Sequence, residues 1–227
     1  MSQALAPGLR AGLSGLGLSL TERQVGQLLD FLGLLQKWNR VYNLTALRDP
    51  EDMLTHHLLD SLAVIGPLRE QLAGRQPADG RGFRLLDVGA GAGLPGVVIA
   101  ICCPDIAATC VDAVAKKATF VQQVAITLGL GNLKGLHARV ERLEERFDVI
   151  SSRAFATLGD FTAWSRAALA PSGIWLAMKG RRPDAELADL PPGVQAFHVE
   201  QLQVPGLEAE RSLIWLKTLS GELKPGP

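Results

Sequence analysis

The chain has 227 residues, 47% hydrophobic and 20% charged, with 23 lysines and arginines matched by 23 aspartates and glutamates. That is long enough to bury one substantial core, too apolar for a disordered chain, and far from the composition of a membrane span. Zero net charge excludes a global field that gathers nucleic acid, so any such partner has to be held by a local patch.

The first twenty residues, MSQALAPGLRAGLSGLGLSL, set Arg10 before a leucine and glycine run that faintly resembles an export signal. Glycine interrupts the run and TERQ follows in place of a cleavage site, which predicts a loose tail or frayed helix. From Thr21 to Trp38, the residues Val25, Leu28, Leu29, Leu32 and Leu35 recur at steps of three and four, so one helix face is buried. Thr21 and Gln24 have capping-box spacing and mark its start. Asp49 and Pro50 open a second helix that carries Met53, Leu54, Leu58 and Leu62 inward. Residues 1–72 therefore read as a helical extension. The polar stretch AGRQPADGRG (73–82) joins it to a unit over 83–227, the two packed as one globule.

Beyond the linker, short apolar runs alternate with helical periods: RLLDVG then PGVVIAIC, ATCVDA then AKKATFVQQVAITLG, LKGLHA, FDVISS then LGDFTAWSRAAL, and GIWLAM. This is the signature of an α/β fold with a mostly parallel central sheet and crossover helices on both faces. The last two runs, VQAFHVEQLQV and RSLIWLKTL, have no helix between them and should pair antiparallel at one edge. Cys102, Cys103 and Cys110 offer neither the even count of a disulfide framework nor zinc-site spacing, which points to reduced thiols, a cytoplasmic chain and no metal.

The turn DVGAGAGLPGV carries glycine at 89, 91, 93 and 96, and Gly91 to Gly96 satisfies G-x-G-x-x-G. In such sheets the first strand-to-helix turn receives the ligand, either a dinucleotide with its pyrophosphate or S-adenosylmethionine, which is cationic at sulfur and nitrogen. Asp87, two residues before Gly89, opposes a pyrophosphate and favours a cation. Pro95 removes one amide that phosphates need. Asp112, closing the second strand, offers an acceptor to the ribose of either ligand, or caps the next helix; Asp87 has loop bracing as its bland alternative. The terminal hairpin stands where a dinucleotide fold needs a second mononucleotide half, so S-adenosylmethionine leads. An NAD(P)-linked oxidoreductase and a non-catalytic RNA or nucleotide binder remain the alternatives.

The stretch KWNRVYNLTALRDPEDMLTHHLLDSLAV (37–64), the glycine loop, ISSRAFATL, AMKGRRPDAEL and LQVPGLEAERSLIWLK occur in that order. Together, from about Leu18 to Lys217, they resemble the bacterial RsmG (GidB) family. The resemblance implies a class I S-adenosylmethionine-dependent methyltransferase of Rossmann-like fold that methylates guanine N7 in 16S ribosomal RNA of the small ribosomal subunit. Family donor contacts fall on Gly89, Leu94, Val140, Glu141 and Arg153; the residues themselves add Asp87, Gly91 and Asp112. The segments AVAKKATF and HARVERL depart from the family pattern and leave open which cations meet RNA.

Methylation of a pyrimidine carbon needs a thiolate, and none of the cysteines falls at the catalytic edge. Exocyclic amines call for an Asp/Asn-Pro-Pro-aromatic run where this chain reads SSRAFAT. Guanine N7 has a free lone pair and loses no proton, so no general base is expected, and the sequence singles out no catalytic side chain. His56 and His57 read as packing or capping groups. Lys116, Lys117, Lys179, Arg181 and Arg182 are the expected RNA-phosphate contacts, with Arg40 and Arg48 as further candidates. No surplus apolar face is evident, and a monomer is expected.

Overall fold

Seven strands form one sheet in the order β3-β2-β1-β4-β5-β7-β6 in the computed structural model, which describes residues 2–219; Met1 and residues 220–227, the end of the expected 83–227 unit, lie outside the described residues. The strands are β1 (Arg84–Val88), β2 (Ala107–Asp112), β3 (Leu133–His137), β4 (Phe147–Arg153), β5 (Leu169–Lys179), β6 (Val194–Leu202) and β7 (Arg211–Thr218). The first five run parallel, while β7 lies antiparallel to both β5 and β6. The alternating pattern and the hairpin expected at one edge are thus both present. Strand order reverses between β1 and β4, and a cleft opens there beyond the carboxyl ends.

The crossover helices are α6 (Gly96–Cys102), α7 (Ala115–Leu128) and α8 (Leu158–Ser165), with the short α9 (Asp184–Ala188) following β5. Ahead of the sheet come α1 (Ala6–Gly15), α2 (Glu22–Tyr42), α3 (Pro50–Met53), α4 (Asp60–Leu62) and α5 (Ile65–Leu72). The capping box is formed, with Gln24 N–H donating to Thr21 Oγ1 and Thr21 N–H to Gln24 Oε1. The Gln24 amide also donates to Ile101 O at 2.9 Å, and Arg69 reaches Cys102 O at 2.8 Å. The α2 stripe and α6 share one apolar core, with Leu28, Leu32, Leu35, Val97, Val98 and Phe120 all fully buried.

The loose tail or frayed helix expected at the start is instead the ordered helix α1, with Leu9 and Leu13 buried. Its glycines are close-approach points and not breakers: a Cβ on Gly12 would collide with Leu59, and one on Gly8 would stand 3.0 Å from Leu54. The second predicted helix begins as expected, with Asp49 accepting from Glu51 N and Asp52 N. Its middle, Leu54–Leu59, widens into a π-helical turn before α4. All three cysteines are buried and free, and burial pushes the Cys102 thiol up to about 12. Among the described residues no helix is long and apolar enough to cross a membrane.

Candidate functional site

Two cavities adjoin at the carboxyl ends of β1, β2 and β4. The first, about 420 Å3, lies among the glycine loop, the β4 and β5 tips, the start of β7 and the π-helical turn. The second, about 460 Å3, lies among the β1 and β2 tips, the segment after β3, and α8. Gly89 and Ala154 line both and form the partition. Each holds a left-handed backbone, φ +64° and +50°, a conformation that costs a non-glycine residue energy and concentrates at functional sites. A Cβ on Gly89 would collide with the ring of Phe155, so glycine here lets the β4 loop close over the β1 turn.

The glycine loop is braced from beneath. Asp87, expected to face a bound cation, is fully buried and lines neither cavity. Its carboxylate accepts from Gly96 N at 2.9 Å and Ser151 Oγ at 2.8 Å, and burial raises it to about 6. It therefore works against a pyrophosphate by a different route from the one expected. It occupies the first amide of α6, while Val97 N donates to Gly93 O, so those helix-terminal donors are already spent within the fold. Asp112 accepts from Gly91 N at 3.0 Å and Val114 N at 2.8 Å, with Lys117 Nζ 3.7 Å away, and it still lines the second cavity. Val140 and Glu141 line that cavity too, beside Phe155 and Trp164, whose rings meet edge to face at 5.8 Å. Gly91 and Leu94 line the first.

The first cavity contains a constellation that the sequence did not announce. Asp60, its side chain 3% exposed, accepts from Arg153 Nη1 at 3.0 Å and from Arg211 Nε at 2.7 Å. Arg153 also donates to His56 O, in the π-helical turn. Two guanidiniums on one carboxylate leave a surplus positive charge facing the cavity. His57 Nε2 lies 2.7 Å from Thr45 Oγ1, and its ring is lowered to about 4 by burial and by the Arg153 charge, so it is neutral at physiological pH. Spacing gave no signal for Asp60 and Arg211, because they stand 93 and 151 residues from their partners Arg153 and Asp60. Thr45, Phe155 and Trp164 were likewise missed.

The expected RNA contacts do not gather into one patch. Lys179 is a brace and not a free cation: its ammonium donates to Ala156 O at 2.7 Å and to both oxygens of Glu186, at 3.1 and 2.9 Å. Reversing its charge would break a half-buried ion pair instead of testing RNA contact. Arg182 pairs with Asp184, Lys117 sits beside Asp112, and Lys116 donates to Tyr42 O at 2.8 Å while remaining exposed. Arg181 is exposed and forms no ion pair among the described residues. Among those residues no group of three His, Cys, Asp or Glu could hold a metal ion.

The family model described as rRNA small subunit methyltransferase G matches residues 24–214. A protein named ribosomal RNA small subunit methyltransferase G from Acidovorax sp. (strain JS42) is 65% identical over 214 residues, covering 93% of this chain and 95% of its own. Its namesake from Acidovorax ebreus is 64% identical over 219 residues, covering 96% and 97%. Among solved structures, the Burkholderia thailandensis 1,6-didemethyltoxoflavin-N1-methyltransferase, with bound 1,6-didemethyltoxoflavin and S-adenosylhomocysteine, superposes with a TM-score of 0.55 at 18% identity. It covers 83% of this chain and 89% of its own, a likeness of fold.

Proposed function

The chain belongs to the rRNA small subunit methyltransferase G family, and from that premise we propose that it methylates N7 of a guanine in small-subunit 16S ribosomal RNA. The donor, S-adenosylmethionine, supplies an electrophilic methyl group on a sulfonium. Asp112 would accept from the ribose hydroxyls, with Val140 and Glu141 closing around the base in the second cavity. The amino-acid end would cross Gly89 and Gly91 into the first cavity, with Leu94 as an apolar wall. There the surplus charge of Arg153 and Arg211 over Asp60 suits a carboxylate. Asp87 holds the loop that all of these contacts use.

The observation that carries N7 is the committed state of the two less exposed carboxylate or imidazole side chains of the first cavity, Asp60 and His57, which leaves the exposed His56 as the one imidazole there to test. Asp60 is engaged by two arginines, and His57 is neutral and hydrogen-bonded to Thr45. Neither is free to take a proton. Guanine N7 has none to give, so alignment supplies the acceleration. The reaction is read as cytoplasmic, run by a single copy of the chain.

Small subunits lacking the modification, and the deproteinised RNA from them, are incubated with labelled donor and then treated with borohydride and aniline, which break the strand at 7-methylguanine. The expected result is label and scission at one guanine, with a rate flat through neutral pH. Label on an exocyclic amine or a pyrimidine carbon overturns the reading. So does a bell-shaped profile abolished by replacing His56, the exposed imidazole at the cavity.

A further inference from the structure

The segment from Lys37 to Arg48, KWNRVYNLTALR, holds three cations and no carboxylate in a chain whose net charge is zero. Lys37, Arg40 and Arg48 are all exposed, and none forms an ion pair among the described residues. The fold gives this segment a fixed shape. Asn39, 6% exposed, donates to Leu47 O and accepts from Thr45 N, both at 2.9 Å, and so pins the loop that follows α2. Leu44 and Thr45 of that loop line the first cavity. Arg48 turns to the other side and, with Arg40, lines a separate cavity of about 280 Å3.

Beside these cations stand the most exposed large apolar residue among those described, Val41 at 71%, and Tyr42 at 42%. Tyr42 is not loose. A file of rings runs from the buried Phe31 and Phe120 to Trp38 and on to Tyr42, with centroids 6.3, 5.4 and 5.0 Å apart. Lys116 fastens the same helix end through Tyr42 O. An anchored, exposed ring and, on the same short segment, two exposed guanidiniums that form no ion pair among the described residues have the chemistry that holds unpaired RNA, with bases on the ring and phosphates on the cations.

We infer that the end of α2 and the loop to Arg48 form the docking surface for the unpaired RNA flanking the target guanine, with Tyr42 as stacking platform and Arg40 and Arg48 as phosphate contacts. The inference rests on the methyltransferase reading and adds where the acceptor strand enters.

The test compares wild type with the double variant Arg40→Glu, Arg48→Glu, with Tyr42→Ala, and with Arg23→Glu, a reversal at the opposite end of α2. Unmodified small subunits are the substrate, and S-adenosylhomocysteine affinity reports the integrity of the donor site. The double variant should raise the KM for subunits roughly tenfold or more and make the dependence of log K on log salt shallower by about 1.4, as two lost single-strand phosphate contacts require. Tyr42→Ala should weaken RNA binding roughly 5- to 150-fold. S-adenosylhomocysteine affinity and the Arg23→Glu variant should match wild type. An unchanged KM and salt slope, or an equal effect of Arg23→Glu, overturns the inference. If wild type transfers no methyl group, the functional reading fails, and direct binding of deproteinised small-subunit RNA to the same variants still decides the docking surface.

Discussion

Asp87 and His57 titrate in opposite senses over the same acidic range, which gives each a signature. Burial raises Asp87 from 3.8 to about 6, so its stabilising contribution is complete below pH 4 and is lost as pH rises through 6. The difference is about 3 kcal/mol. Burial and the Arg153 charge lower His57 from 6.5 to about 4, so its contribution is complete above pH 6.5 and is lost as pH falls through 4. The two partly cancel in wild type. Urea denaturation across this range should show Asp87→Asn losing stability on acidification more steeply than wild type, and His57→Gln less steeply. Parallel curves for all three proteins would show that neither group titrates as its surroundings require. Asp87 also marks a limit of sequence reading. Its position beside the glycines was legible, but which way the carboxylate pointed depended on Ser151, contributed by a strand 64 residues away.

At the scale of elements, the helices whose periodicity was long and whose caps were local could be read directly, as α2 with its Thr21 and Gln24 box illustrates. The first helix could not, because what orders α1 is a surface made by Leu54 and Leu59, and the contact is visible only once the chain has folded back. If α1 is integral, Leu9→Ala should cost about 2–5 kcal/mol in chemical denaturation, the range for a buried leucine. A loss near zero would return α1 to the status of a frayed tail. The π-helical turn was equally invisible. The run from Asp49 looked like one regular helix, yet its widened middle brings Asp60 and the His56 carbonyl to Arg153 together.

Across the whole molecule, balanced charge places the burden of RNA recognition on a small area, and the same balance leaves no strong self-repulsion to oppose crystallographic or solution contacts between copies. Sedimentation equilibrium should nonetheless give the mass of one chain at micromolar concentration, since the exposed Val41 and Tyr42 form only a small patch at the end of α2, while Ile126 and Trp164 stand on other helices. A concentration-dependent dimer would contradict this. The lining of the second cavity was legible because most of its parts lie on successive turns after β1, β2 and β3. That of the first was not, because it also draws on the helical extension and on β7, far apart along the chain.

The position of β7 between β5 and β6 carries a consequence for how the protein is made. During synthesis β5 emerges with its outer edge bare until β7 covers it, so the half-built sheet offers an unprotected edge to its neighbours on a polysome. Arg211 arrives with that same strand. Closure of the edge and completion of the arginine pair around Asp60 are therefore one event, and a nascent chain that has not yet released β7 has neither.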